Sequence, residues 1–253
     1  MSNLQHREIH VSSDRRDAGT DTDWVFYPSP SLHNVKRIRL SNLELPWTHY
    51  VFNSTNNTIN FKEDGGGTLV ATLSSQNYSR SQLATEIKTQ LESAGAGTYT
   101  VSVSNNTYKL TITPTAGITN FQLLASGSNS CHKTLGFSVD SANSSTVTGN
   151  EIAQISGLNY VLLRSNVALN RRHKSFYDNS STSHDILARI PVTTNSGSVV
   201  YFNAVDQPFS ESHGDLDELR FRLTDESGQT IDLNGGTISL KLDVYVEDPH
   251  KLH

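Results

Sequence analysis

Ile238-Ser239-Leu240-Lys241-Leu242-Asp243-Val244-Tyr245-Val246-Glu247 alternates without a break. Its even positions are aliphatic; its odd positions are polar, charged or, at Tyr245, amphipathic. A two-residue period sends successive side chains to opposite faces, so this is a strand with one buried and one wet face. Such strands belong to antiparallel sheets that lay one face on a core. A parallel sheet, covered on both sides, would show a continuous aliphatic run instead.

The same pattern recurs upstream. Leu219, Phe221 and Leu223 alternate with Arg220, Arg222 and Thr224, and Asp225-Glu226-Ser227-Gly228 turns the chain. Val199-Val200-Tyr201-Phe202 follows the turn Asn195-Ser196-Gly197. Ile186, Ala188, Ile190 and Val192 share a parity, and Leu158–Arg164 reads as a further strand. Near the start, Trp24-Val25-Phe26-Tyr27 is closed by Pro28-Ser29-Pro30. Val35–Pro46 then carries Ile38 and Leu40 on one parity but Leu43 and Leu45 on the other. A strict two-residue period cannot bury both pairs, which predicts a β-bulge near Ser41-Asn42. Thr58–Lys62 alternates again.

One helix is written into the middle. Ser79 followed by Gln82 has the spacing of a capping box, Leu83, Ile87 and Leu91 recur every fourth residue, and Gly95 falls where a C-terminal cap belongs. Leu69, Ala71 and Leu73 alternate before it. Tyr99, Val101 and Val103 alternate after it, turn at Asn105-Asn106, and return as Tyr108, Leu110 and Ile112. Residues 66–125 therefore read as a small β-α-β-β subdomain, with Gly65-Gly66-Gly67 as its hinge. The stretch from Ala125 to Asn150 reads as a loop rich in Gly, Ser, Asn and Thr, broken by Leu135-Gly136-Phe137.

About eight strands lie outside that insert, with long loops and no fixed-period repeat, which disfavours solenoids and propellers. The fold class expected is all-β: a single jelly-roll β-sandwich over residues 24–65 and 126–253, with the inserted subdomain at 66–125. Residues 1–23 are polar, carry a net charge of −2 and lack apolar periodicity. They read as an extended N-terminal arm, left open between disorder, a strap over a neighbouring subunit, and an edge strand around Ile9 and Val11.

Composition narrows the function. The chain has 253 residues, 35% of them hydrophobic and 18% charged, with Ser, Thr and Asn in excess and a net charge of −5. That balance argues against general nucleic-acid binding, which needs clustered Lys and Arg. No stretch approaches the ~20 apolar residues of a membrane helix. The opening residues lack the apolar core of a secretory signal. One cysteine, Cys131, allows neither an internal disulfide nor a four-cysteine zinc site, and reads as an inert thiol.

Motifs of catalysis are missing. Gly65-Gly66-Gly67 lacks the Lys-Ser/Thr of a phosphate loop, and there is no Gly-x-Ser-x-Gly elbow. His6 and His10 have a helical zinc spacing in a segment without helical pattern. His250 and His253 lie in a polar tail. Asp215, Asp217 and Glu218, and again Asp225, Glu226 and Asp232, read as turn chemistry rather than calcium loops. Arg171-Arg172-His173-Lys174 is the one basic run, read as a solvated loop or inter-subunit contact. Asn53, Asn77, Asn105 and Asn143 open formal glycosylation sequons expected to go unused. No catalytic, cofactor or metal residue is assigned.

The order of several motifs resembles the single jelly-roll penton (minor capsid) proteins of virophages, polinton-like viruses and large tailless double-stranded DNA viruses. The matching pieces are Ser12-Ser13-Asp14-Arg15-Arg16-Asp17 followed by Trp24-Val25-Phe26, the strand Val35–Pro46, and Tyr78-Ser79 with Leu83, Ile87 and Leu91. Then come the Tyr99 and Tyr108 hairpin, Leu135-Gly136-Phe137, and Tyr160–Asn166. Together they span most of the chain. The resemblance implies a non-enzymatic homopentamer at the five-fold vertex of an icosahedral capsid. It implies neighbouring major capsid proteins as partners, with Asp14, Arg15, Arg16, Asp17, Arg171 and Arg172 as contacts. It also implies a host receptor or fibre met by the insert, and a virion protein made in the host cytoplasm or nucleus. Two rivals are a phage tail or baseplate component and a carbohydrate-binding sandwich using Trp47, Tyr50, Tyr160 and Tyr177.

Overall fold

The computed structural model describes residues 4–168, 185–204 and 208–247. In chain order the first elements are β1 (Leu4–Ser12), β2 (Ala18–Gly19), β3 (Asp23–Phe26) and β4 (Leu32–Pro46). They are followed by β5 (Thr58–Glu63), β6 (Leu69–Thr72), α1 (Arg80–Ala94), β7 (Thr98–Val103), β8 (Leu110–Ala116), β9 (Phe121–Leu124) and β10 (Val147–Thr148). The last are β11 (Tyr160–Ser165), β12 (Ile186–Pro191), β13 (Val199–Asn203), β14 (Ser210–Leu216), β15 (Leu219–Thr224) and β16 (Ser239–Glu247). The chain divides into two compact units, 1–49 with 158–253, and 50–157.

The first unit is a sandwich of two antiparallel sheets. One runs β1-β16-β4, with β13 and β14 both along the far side of β4; the other runs β12-β11-β15-β3-β2. Set the two-residue β2 aside and count β13 with β14 as one interrupted strand. The unit then has eight strands, ordered 1-8-3-6 in one sheet and 2-7-4-5 in the other. That is jelly-roll connectivity, two Greek keys wrapped around one core. The whole of 50–157 is inserted in the connection from the third strand to the fourth.

β4 explains how the third strand serves two neighbours. Lys241 stands opposite Asn42 and Leu242 opposite Leu40, so Ser41 is the extra residue of the expected bulge. The bulge lets Ile38, Leu40, Leu43 and Leu45 all face the core, each fully buried. It also divides the far edge: β13 pairs with 42–46 and β14 with 32–38. On β16, Leu240, Leu242, Val244 and Val246 point inward as their alternation required. Trp24 and Phe221 stack at 5.2 Å between centroids beneath the second sheet.

Two boundaries differ from those the sequence suggested. Of the three readings left open for the arm, the edge strand around Ile9 and Val11 is the one that forms, and it belongs to the sandwich: β1 pairs with β16 residue for residue from Leu4 to Ser12 and is the first strand of the jelly roll. Its short apolar signal, Ile9 and Val11, is enough because the backbone ladder supplies the rest; Val11 is buried and Ile9 packs on the core. The insert is also longer than 66–125. β6 pairs with β5, and β8 with β10, so strands on both sides of 66–125 belong to it. Phe52, Ile59, Phe61, Cys131, Leu135, Phe137 and Val147 complete its core. Gly65-Gly66-Gly67 accordingly lies in the turn between β5 and β6, inside the unit.

Within the insert, two three-stranded sheets, β6-β5-β9 and β10-β8-β7, share a core with α1. The capping box forms as expected: Ser79 accepts from the Gln82 amide and Gln82 from the Ser79 amide. Leu83, Ile87 and Leu91 are the buried face. Gly95 caps the helix as expected, its amide donating to the Leu91 carbonyl at 2.9 Å. Its backbone is extended, and a Cβ there would lie 2.1 Å from Glu63 Oε1. The Glu63 carboxylate accepts from the Tyr99 hydroxyl at 2.5 Å, the Ala96 amide at 2.9 Å and the Gly97 amide at 3.0 Å. It thereby ties β5 to the end of α1 and to β7.

Candidate functional site

The sandwich presents three polar surfaces built by its strands. At the corner after β1, a single 3₁₀ turn, Ser13–Arg15, is capped by Ser12. Two of the expected contact residues serve this corner itself. Arg16 donates to the Ser13 carbonyl at 2.7 Å, the Gly19 carbonyl at 3.1 Å and the Asp21 carboxylate at 2.6 Å. Asp17 accepts from the Tyr27 amide at 2.7 Å. These bonds fold the connection against β3. Asp14 and Arg15 remain exposed on the turn. Arg171 and Arg172 lie outside the described residues, as do His173, Lys174, Tyr177, His250 and His253.

On the outer face of the β1-β16-β4 sheet, Asp243 is the hub. Only 8% of its side chain is exposed. It accepts from Arg39 Nε at 3.0 Å and lies 3.2 Å from His6 Nε2. His6 stacks on Tyr245, Phe209 meets Tyr245 edge-on, and the Arg39 guanidinium lies 4.5 Å over Phe209. Glu8 pairs with Lys241 at 3.1 Å. His6 belongs to this group through strand alternation, not the helical spacing to His10. His6, Glu8 and Asp243 do bring three ligand atoms within 4.8 Å of one another. Both carboxylates are already matched by a cation, Arg39 and Lys241, which a metal ion would have to displace. The arrangement is a charge network that fastens β1 to the sheet.

The outer face of the other sheet is rich in arginine. Arg164 on β11 stands opposite Arg222 on β15, which stands opposite Asp23 on β3. Arg164 donates to the Thr224 hydroxyl at 3.0 Å and to Asp185 at 2.6 Å. Arg220 pairs with Glu218. Asp23, Arg164, Asp185, Arg220 and Arg222, with Asn166, line an open pocket of about 380 Å³. Further along the face the Arg189 guanidinium lies 3.8 Å over the Tyr160 ring. The alternation of Arg220 and Arg222 with a buried face was visible in sequence. The register that brings Arg164 and Asp185 beside them was not.

Other sequence candidates resolve as packing or turns. Trp47 is buried in the sandwich core, so it offers no ring to a glycan. Asp225 accepts from the Ser227 hydroxyl and the Gln229 amide, and Asp232 from the Asn234 amide, as turn residues do. Asp215 accepts from the Asn34 amide. Cys131 is buried, donates to the Thr58 carbonyl at 3.2 Å, and burial pushes its thiol up to about 12. Among the described residues no helix is long and apolar enough to cross a membrane.

No family model matches the chain, and no curated protein matches it. Among solved structures, the selenomethionine-labelled mavirus penton protein aligns over 96% of this chain and 100% of its own, at 12% identity and a TM-score of 0.49.

Proposed function

We propose that this chain is a structural protein of a virus particle: a penton-type minor capsid protein whose copies close into a ring of five at each vertex of an icosahedral double-stranded DNA virus. The observation that carries the reading is the strand order, 1-8-3-6 against 2-7-4-5, in a chain whose motifs run in the order of the penton resemblance. Jelly rolls serve capsids and lectins alike, so the fold alone does not decide. The motif order favours the capsid, and the burial of Trp47 counts against a glycan groove built on it.

A ring of five needs a heterologous interface, one face of each copy against a different face of the next. The sandwich supplies different surfaces for this, with exposed Asp14 and Arg15 at one corner. Neighbouring major capsid proteins are the outer partners. The insert 50–157, with a core of its own, is the part that meets a receptor or fibre. The protein's place is the virion vertex, after synthesis in the host cytoplasm or nucleus.

Light scattering with negative-stain imaging of the purified protein tests the reading. The expected species has five times the 27.8 kDa of the chain and shows five-fold rings. A stable trimer or hexamer would overturn it in favour of a tail or baseplate component.

A further inference from the structure

We infer that the outer face of the β12-β11-β15-β3 sheet carries an oxyanion-binding pocket, in which Arg222 and Arg220 grip a carboxylate or phosphate group.

Arg222 is the residue that asks for a ligand. Its cross-strand neighbours are Arg164 on one side and Asp23 on the other. Among the described residues it has no hydrogen-bond or ion-pair partner. Like charges placed directly opposite on paired strands repel. Arg164 has its own counter-charge in Asp185 and spends a second donor on Thr224, so it offers Arg222 no relief. Glu218 takes one nitrogen of Arg220 and leaves the remaining donors of that guanidinium. Arg220 and Arg222 stand two residues apart on β15, on the same outward face, and both line the pocket.

The pocket has the chemistry and room for an anion. A guanidinium is a planar fork that matches carboxylate and phosphate oxygens in pairs. The volume of about 380 Å³ falls in the lower part of the usual small-ligand range of ~300–1,000 Å³. Three arginines and two aspartates line it; Glu218, paired with Arg220, makes a third acid beside it, so it is the unspent guanidinium donors of Arg222 and Arg220, rather than net charge, that favour an anion. Asp185 is neutralised by Arg164, so Asp23 is the one uncompensated acid on the wall, and it keeps the preference for anions modest. The site is independent of the ring proposed above.

Calorimetric titration of the full-length protein with inorganic phosphate, and separately with acetate, at fixed ionic strength tests the inference. At least one anion is expected to bind saturably. Phosphate binding alone points to a phosphate ligand, and acetate binding or competition to a carboxylate. Arg222→Gln is expected to weaken binding about tenfold or more, and Arg220→Gln to weaken it in the same direction. Both side chains are at the surface, so either variant folds and each checks the other. Arg189→Gln, on the same face but outside the pocket, is expected to bind as the parent does. Absence of saturable binding by either anion would overturn the proposal. So would undiminished binding in R222Q, or an equal loss in R189Q, which would mark diffuse surface charge.

Discussion

Glu63 is the residue on which the insert's cohesion can be tested. Its carboxylate holds the Tyr99 hydroxyl at 2.5 Å and the amides of Ala96 and Gly97 at 2.9 and 3.0 Å. Glu63→Ala strands all three. Tyr99 is 1% exposed, so its hydroxyl has no water to turn to, and an unsatisfied buried donor costs about 1–3 kcal/mol. The Ala96 bond is solvent-exposed, and water recovers most of it. The Gly97 bond is part-buried and adds about 1 kcal/mol. The expected total is about 3 kcal/mol, or roughly 12 °C of melting temperature at ~4 °C per kcal/mol. Glu63→Gln keeps one acceptor oxygen for Tyr99 and Gly97 but puts an NH2, which cannot accept, against the solvent-exposed Ala96 amide; with the charge also lost, the cost is about 1 kcal/mol.

The charge makes the effect depend on pH. Burial alone would raise the Glu63 pKa. The Tyr99 hydroxyl and the amides of Ala96 and Gly97 outweigh it and hold the carboxyl below its ordinary value. A carboxylate depressed in the folded state stabilises the fold above the unfolded pKa of ~4.3 and loses that contribution as pH falls through the folded value. The advantage of the parent over E63Q should therefore be full at pH 7 and vanish in acid. Thermal melting of both proteins from pH 7 to pH 3 measures the gap, and amide exchange at Ala96 and Gly97 localises it. A gap that stays constant with pH, or an E63A cost under about 1 kcal/mol, would refute the account.

Three further outcomes follow from the same structure. Removal of residues 1–12 should lower the melting temperature and cause aggregation, read by light scattering on heating, because it strips the ladder from β16 and leaves an apolar strand at the edge; a true arm could be removed without either effect. Asp243→Ala leaves Arg39 and His6 without their shared acceptor and should cost about 2 kcal/mol in denaturant unfolding. Cys131, buried and with its thiol pushed up to about 12, should resist iodoacetamide at pH 8 until guanidinium unfolds the insert, as followed by mass spectrometry.

What could be read from sequence was whatever side-chain periodicity controls. The parity switch between Leu40 and Leu43 required an extra residue, and Ser41 is that residue. The helix was legible because both of its ends and its buried stripe are local patterns. The boundaries were harder. β10 has only two residues, and Phe52, Cys131 and Phe137 reach the insert's core from irregular chain, so neither alternation nor helical spacing marks them. β1 shows the same limit from the other side. Its wet face carries His6, Glu8 and His10, and its edge position asks little of the other face. A strand held by a backbone ladder at a sheet's edge can therefore look like a polar tail.

The surfaces were less legible than the core because they depend on register across strands distant in sequence. Arg220 and Arg222 could be placed on an outward face, yet nothing local says that Arg222 is met by a second arginine on one side and an aspartate on the other. The corner residues teach the converse. Asp14-Arg15-Arg16-Asp17 looks like one charged patch, but the turn divides it. Arg16 and Asp17 spend their charges on Asp21, two carbonyls and the Tyr27 amide, while Asp14 and Arg15 stay at the surface. A charge satisfied within its own turn holds the fold and has little left for a partner. A charge set beside its like, as Arg222 is beside Arg164, keeps its donors for whatever enters the pocket. By that measure the arginine face of the second sheet, rather than the corner as a whole, is where recognition by this protein should first be sought.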